Sequence, residues 1–274
     1  MPDVADLRLT AIAERLLTVD GVVAVALGGS RARGTHRPDS DIDLGLYYRG
    51  RPDVDALRAL AAATSGQDTD VTEPGGWGPW VDGGGWLTVD GWRVDWIYRD
   101  LDRVTRVWAD CREGRCELGV QPGHPLGFYS HTYAGEVAMC KILADPTGEL
   151  GRLRTAAGEY PPALREALLD GLWEADFITA AARYGAKGDD PAYTAGCLFR
   201  AVGVLCHALH AHAGRWLINE KGMVAATDAL GLVEGFGERA FSLLGTVGAT
   251  REEIAATVDA AEALVADVRA RVGR

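Results

Sequence analysis

Two aspartates one residue apart, Asp41 and Asp43, follow a glycine turn, Gly28-Gly29-Ser30, within residues 28–44. On a strand, residues i and i+2 point to the same face. Two carboxylates about 4 Å apart repel by on the order of 4 kcal/mol at an effective dielectric near 20. A divalent cation removes that cost. Mg²⁺ takes hard oxygen ligands, typically one or two carboxylates plus substrate phosphates. The glycines let the backbone turn sharply and approach a ligand closely. Ser30 adds a hydroxyl, and N–H groups at the following helix start favour an anion such as a phosphate. A phosphate turn beside an Asp pair is the equipment for phosphoryl or nucleotidyl transfer. Two metals about 3.5–4 Å apart would clamp the attacking and leaving oxygens.

The elements that must hold these groups are legible from periodicity. Val4–Val19 has helical spacing, and Val22–Leu27 is a short apolar run between Gly21 and Gly28, a buried strand. Asp41–Tyr48 alternates as a strand does, and Asp53–Ala63 is helical. Gln67–Thr72 reads as a further strand, and Pro74–Gly85, with Trp77, Trp80 and then Trp86 interleaved, as a loop or lid. Asp90-Gly91 joins Trp86–Val89 to Trp92–Tyr98 as a hairpin. Leu101–Arg112 returns to helix. From about Phe128 the signals are helical only: His131–Leu143, Ala163–Tyr184, Ala192–Ala213, Glu234–Leu244 and Glu252–Val272. The expected class is α+β, with a mixed-sheet α/β domain at residues 1–115 and an all-helical domain at residues 128–274.

The chain has 274 residues and a formal net charge of −11, which disfavours an extended nucleic-acid surface and suits a cationic small molecule or metal ions. No apolar run approaches the roughly 18 residues that span a bilayer, so no membrane association is expected. No signal peptide is readable at Met1-Pro2-Asp3. The five cysteines read as thiols of a reducing cytosol, which gives a cytoplasmic expectation. His207, His210 and His212 carry no metal-site spacing and read as packing or surface residues.

Gly29-Ser30, ten residues, then Asp41-x-Asp43 resembles the signature of the DNA polymerase β-like nucleotidyltransferase superfamily. The resemblance implies transfer of a nucleoside monophosphate from an NTP to a hydroxyl, with pyrophosphate leaving and a two-Mg²⁺ site. Gly29, Ser30 and Arg31 would bind the nucleotide. The family also needs a third carboxylate on a neighbouring strand. Asp90 lies in the hairpin turn, Asp100 and Asp102 at a helix start, and Asp82 in the glycine loop. Asp95, between Val94 and Trp96, is left as third ligand and candidate general base.

A helical second domain is similar to that of the aminoglycoside adenylyltransferases. That likeness implies ATP as the NTP and Lys221 as a phosphate contact. Lys221 is one of only three lysines. The interval from Gly214 to Lys221 looks longer than in that family, and the family's nucleotide-binding Arg has no clear counterpart. Glu136 is a further candidate, binding a cationic acceptor or acting as base; alternatively it pairs with Lys141 or serves the first turn of its helix. The reading is a Mg²⁺-dependent nucleotidyltransferase acting on a small, cationic hydroxyl compound held between the domains. The alternatives are nucleotidylation of a protein or RNA acceptor, and a nucleotide-binding module without catalysis. Acceptor, NTP and oligomeric state stay open, a homodimer with a shared cleft included.

Overall fold

In a computed structural model, residues 4–274 are described, with side chains from Arg8 onward. The chain begins with α1 (Val4–Leu16), β1 (Val22–Leu27), a single helical turn α2 (Gly29–Ala32), β2 (Ile42–Tyr48) and α3 (Val54–Ser65). A hairpin follows, β3 (Gly84–Val89) and β4 (Trp92–Asp100), then α4 (Leu101–Arg112). Next come β5 (Leu118–Gln121), β6 (His124–Tyr129), α5 (Thr132–Met139), β7 (Lys141–Ala144) and α6 (Glu149–Ala157). The remainder is helical: α7 (Pro162–Asp170), α8 (Trp173–Gly188), α9 (Pro191–His212), α10 (Met223–Asp228), α11 (Phe236–Gly245) and α12 (Arg251–Val272). The class is α+β, with a mixed sheet and a helical C-terminal region.

The chain divides into two compact units. The first runs to Asp110 and adds Glu117–Gly123 and Gly127–Glu159; the second holds Cys111–Cys116, His124–Leu126 and Tyr160–Arg274.

The first unit is built on a five-stranded sheet of order β3-β4-β2-β1-β7, while β5 and β6 pair separately. Only β2 and β4 run parallel; the other neighbours are antiparallel. Alternation sorts the sheet's two faces. Ile42, Leu44, Leu46 and Tyr48 of β2 and Val94, Trp96 and Tyr98 of β4 are buried in one core with Leu9, Ala13 and Leu16 of α1 and Leu57 and Ala61 of α3. Each such large side chain contributes roughly 1.5–3 kcal/mol through burial. Asp43 and Asp95 occupy the other parity, on the opposite face. Helix α3 is capped by the Asp53 carboxylate, which accepts from the Ala56 N–H, and it ends on Gly66 in the left-handed region. The β3–β4 hairpin turns on Asp90 and Gly91, both at positive φ, as the Asp-Gly pair predicts.

Several expectations need correction. The helix predicted over His131–Leu143 stops at Met139, and Lys141–Ala144 forms β7, pairing antiparallel with β1 at Leu27↔Lys141. An apolar run that short does not distinguish strand from helix by period. The strand predicted over Gln67–Thr72 reduces to one bridge, Val71↔Gly85. The segment Ala163–Tyr184 is two helices, interrupted at Gly171, where α7 ends.

In the second unit, α9 packs against α7, α8, α10, α11 and α12. Helix α9 is long and apolar enough to cross a membrane by length and composition only. It is mostly buried within its unit, and a core helix needs the same composition. Arg200 on α9 forms a two-toothed ion pair with Glu174 of α8. Ala182, Cys197 and Val258 join α8, α9 and α12 in a small core. Helix α12 begins with a capping box between Thr250 and Glu253.

Candidate active site

The register of the parallel pair sets Asp43 of β2 directly opposite Asp95 of β4. Across the antiparallel pair, Asp95 in turn faces Trp86 of β3. On the far side of Asp43 the chain leaves β1, and the Gly28 N–H donates to the Asp43 carbonyl at 2.8 Å. Gly28, Asp43, Asp95 and Trp86 therefore form one row across four strands.

Gly29 follows at φ +60°, where a β-carbon would stand 1.8 Å from Asp43 Oδ2. No other residue lets the turn approach that carboxylate so closely. Gly29 and Ser30 open α2, and Arg31 follows in the same turn. Arg31 does not reach outward. Its guanidinium donates to the Ser40 carbonyl through Nη2 at 2.7 Å and Nε at 3.1 Å, and to the Asp41 carbonyl at 3.2 Å. It also lies over the Trp92 ring, 4.8 Å from its centroid. Arg31 thus ties the turn to the loop that delivers Asp41.

Asp41 sits one residue before β2. Its Oδ1 is buried and lacks a hydrogen bond, with the exposed Arg93 Nε 2.5 Å away in an ion pair. Asp95 is half-buried, and its pKa is pushed up to about 6, chiefly by burial, then by the charges of Asp43 and Asp41, against a smaller opposing effect of Arg93. Among the described residues, no three His, Cys, Asp or Glu side chains form a ready-made metal cluster.

The same sheet face is closed at its other end. Arg99, four residues beyond Asp95, is buried and register-paired with Tyr47. Its Nε donates to Oε2 of Glu136 on α5 at 2.6 Å and its Nη2 to Oε1 at 2.7 Å, while Nη1 donates to the Tyr98 carbonyl at 2.8 Å. The Tyr133 ring, also on α5, packs beside it. Glu136 is therefore partnered by Arg99. Sequence reading missed Arg99; its parity with Asp95 on β4 was the available signal.

The other carboxylates near the sheet have partners of their own. Asp82 accepts from the Tyr48 hydroxyl, Asp90 pairs with Arg8 at 2.7 Å, and Asp100 accepts from the Asp102 N–H at the start of α4. Lys221 lies in the second unit, exposed, two residues before α10, and its backbone N–H donates to Asn219 Oδ1. Beside it Glu220 pairs with His124 Nδ1 at 3.1 Å. His207 and His210 are buried in α9, and burial pushes His210 down to about 4.

Residues 9–71 match the family model described as a nucleotidyltransferase domain. That segment contains the glycine turn, Asp41 and Asp43 and is similar to that domain. Among curated proteins none matches the chain. A solved structure, a nucleotidyltransferase-like protein from Exiguobacterium sibiricum 255-15, aligns with a TM-score of 0.49 at 10% identity, over 98% of this chain and 77% of that one.

Proposed function

We propose that the chain is a Mg²⁺-dependent nucleotidyltransferase that moves a nucleoside monophosphate, AMP from ATP, onto a hydroxyl of a small cationic molecule. The observation that carries this reading is the pairing of Asp43 with Asp95 beside the Gly29 turn. Burial, and after it the charges of Asp43 and Asp41, raise the pKa of Asp95.

The donor set fits Mg²⁺. It consists of hard carboxylate oxygens, and the buried Asp41 Oδ1 lacks a hydrogen bond. Asp43 and Asp95 would hold the metal, with Asp41 joining as Arg93 releases it. Bound there, Mg²⁺ would neutralise phosphate charge and polarise the reacting phosphorus.

The chain's own residues supply the rest. Gly29 and Ser30 bring backbone N–H groups and a hydroxyl to the phosphates, and Arg31 holds that turn to the Asp41 loop. The acceptor oxygen bonds to the α-phosphorus while the bond from that phosphorus to the pyrophosphate oxygen breaks. The hydroxyl proton passes to a carboxylate oxygen of Asp95.

The test is pyrophosphate release, measured for the four NTPs with Mg²⁺ against a panel of amino sugars and other hydroxylated metabolites. ATP-dependent release that requires an acceptor and stops with chelator is expected. Label from α-labelled ATP appearing on a protein band instead would move the acceptor to another class.

A further inference from the structure

We infer that the solvent face of α8 is a self-association surface, and that its occupant is α8 of a second copy of this chain, lying antiparallel across a two-fold axis. This goes beyond the nucleotidyl-transfer reading and does not depend on it.

Helix α8 has two unlike faces. Ala175, Thr179, Ala182, Gly185 and Ala186 are buried, where α8 packs on α9 and α12. On the other side Trp173, Phe177 and Tyr184 are 64%, 65% and 68% exposed. Ala180 and Lys187 complete that stripe and are exposed as well. From Trp173 to Lys187 the intervals are therefore 4, 3, 4 and 3 residues. That 3.5-residue repeat is the seam along which two helices interlock their side chains. The stripe is continuous: the Trp173 and Phe177 ring centroids are 6.2 Å apart, and Lys187 Nζ stands 5.4 Å from the Tyr184 centroid. The solvent face of a helix is ordinarily polar, and aromatic side chains are enriched where proteins meet.

The pattern of the stripe selects the occupant. A two-fold dimer needs a patch that fits itself. Antiparallel pairing meets that demand when Phe177 of one copy lies against Ala180 of the other. The large ring then fills the space over the methyl group, and the same register sets Trp173 against Tyr184. It also carries Lys187 toward the opposite end of the other copy's helix, where the Asp170 and Asp176 side chains are exposed. Glu174 and Arg183 are engaged within the chain, by Arg200 and by Asp259 and Glu262, so Lys187 is the cation of the stripe that reaches across. Parallel pairing would bring Lys187 onto its own copy, like charge on like. At roughly 200 Å² per aromatic side chain, the three rings leave about 400 Å² in water, half of the ~800 Å² that each partner gives to a standard interface. Asp176, Ala180 and Lys187 add to it. A membrane surface fits less well, because a net charge of −11 opposes anionic headgroups.

The test is sedimentation velocity of the full chain from about 1 to 100 µM, the range of a weak, modest-sized interface. Wild type should form dimers within that range. Phe177→Glu and Ala180→Lys, each on the exposed face and checked by circular dichroism, should each weaken the dimer at least tenfold. An equimolar mixture of the two variants should recover it, because one contact then pairs opposite charges and the other is native. Ala63→Glu, on the exposed side of α3, should leave the dimer unchanged. Four outcomes overturn the inference. They are a wild type that stays monomeric, single variants that dimerise as wild type does, a mixture that stays monomeric, and co-sedimentation of monomeric wild type with phosphatidylcholine–phosphatidylserine vesicles.

Discussion

Asp43 and Asp95 are register partners on adjacent parallel strands, so their carboxylates share the sheet face whose far end is sealed by Arg99 and Glu136. Each is placed in the sheet by main-chain pairing. Removing either charge should therefore leave the sheet intact. Asp43→Asn and Asp95→Asn are each expected to lower Mg²⁺-dependent pyrophosphate release by roughly a thousandfold or more, with unchanged circular dichroism. Near-wild-type turnover in either variant would remove that residue from the chemistry.

Asp95 also links stability to pH. Its carboxyl stays protonated in the folded chain up to about 6, against 3.8 for an unperturbed aspartate. Stability linked to the proton is fully present below about 3.8 and is lost as pH rises through about 6. Above that, the folded chain bears a partly desolvated, repelled charge. Asp95→Asn should accordingly raise Tm by about 2–4 °C at pH 7.5 in chelator, half-exposure having reduced the effect, and by little at pH 4. Equal shifts at both pH values would show that the charge is not the cause.

Gly29 is required by space as well as by backbone. A β-carbon there would overlap Asp43 Oδ2, in a conformation at φ +60° that L side chains adopt at a cost. Gly29→Ala should displace the Asp43 carboxylate. We expect about a hundredfold loss of turnover, with a stability loss of only about 1–2 kcal/mol by urea unfolding. A stability loss with full turnover would mean that the turn adjusts without moving the carboxylate.

Glu136 neutralises a guanidinium that is 5% exposed. Glu136→Ala leaves that charge buried without its partner and should cost about 3–5 kcal/mol by urea unfolding. Glu136→Gln, which keeps an acceptor oxygen, should cost less, and pairing Glu136→Leu with Arg99→Met should recover most of the loss. Reduced acceptor affinity at unchanged unfolding free energy would instead return Glu136 to substrate binding.

The local elements were readable because their signals are short-range. The apolar run of β1 and the Asp-Gly hairpin turn fall at their expected places, and the α+β class follows from them. β7 was not readable. Its few apolar residues fit either period, and what makes Lys141–Ala144 a strand is the open edge of β1. The partners of Arg31 and Glu136 were likewise invisible. Arg31 answers to the carbonyls of Ser40 and Asp41, and Glu136 to Arg99, a residue on another element.

By itself the sequence determined the chemistry on offer. A glycine turn followed by Asp41-x-Asp43 needs only chain connectivity to bring backbone N–H groups and carboxylates together. The tertiary structure alone decided how they are used. The parallel pairing of β2 with β4 put Asp95 beside Asp43, and the β3 register put Trp86 beside Asp95. Strand order and register arise from burying one sheet face against α1 and α3, a long-range demand that no local pattern encodes.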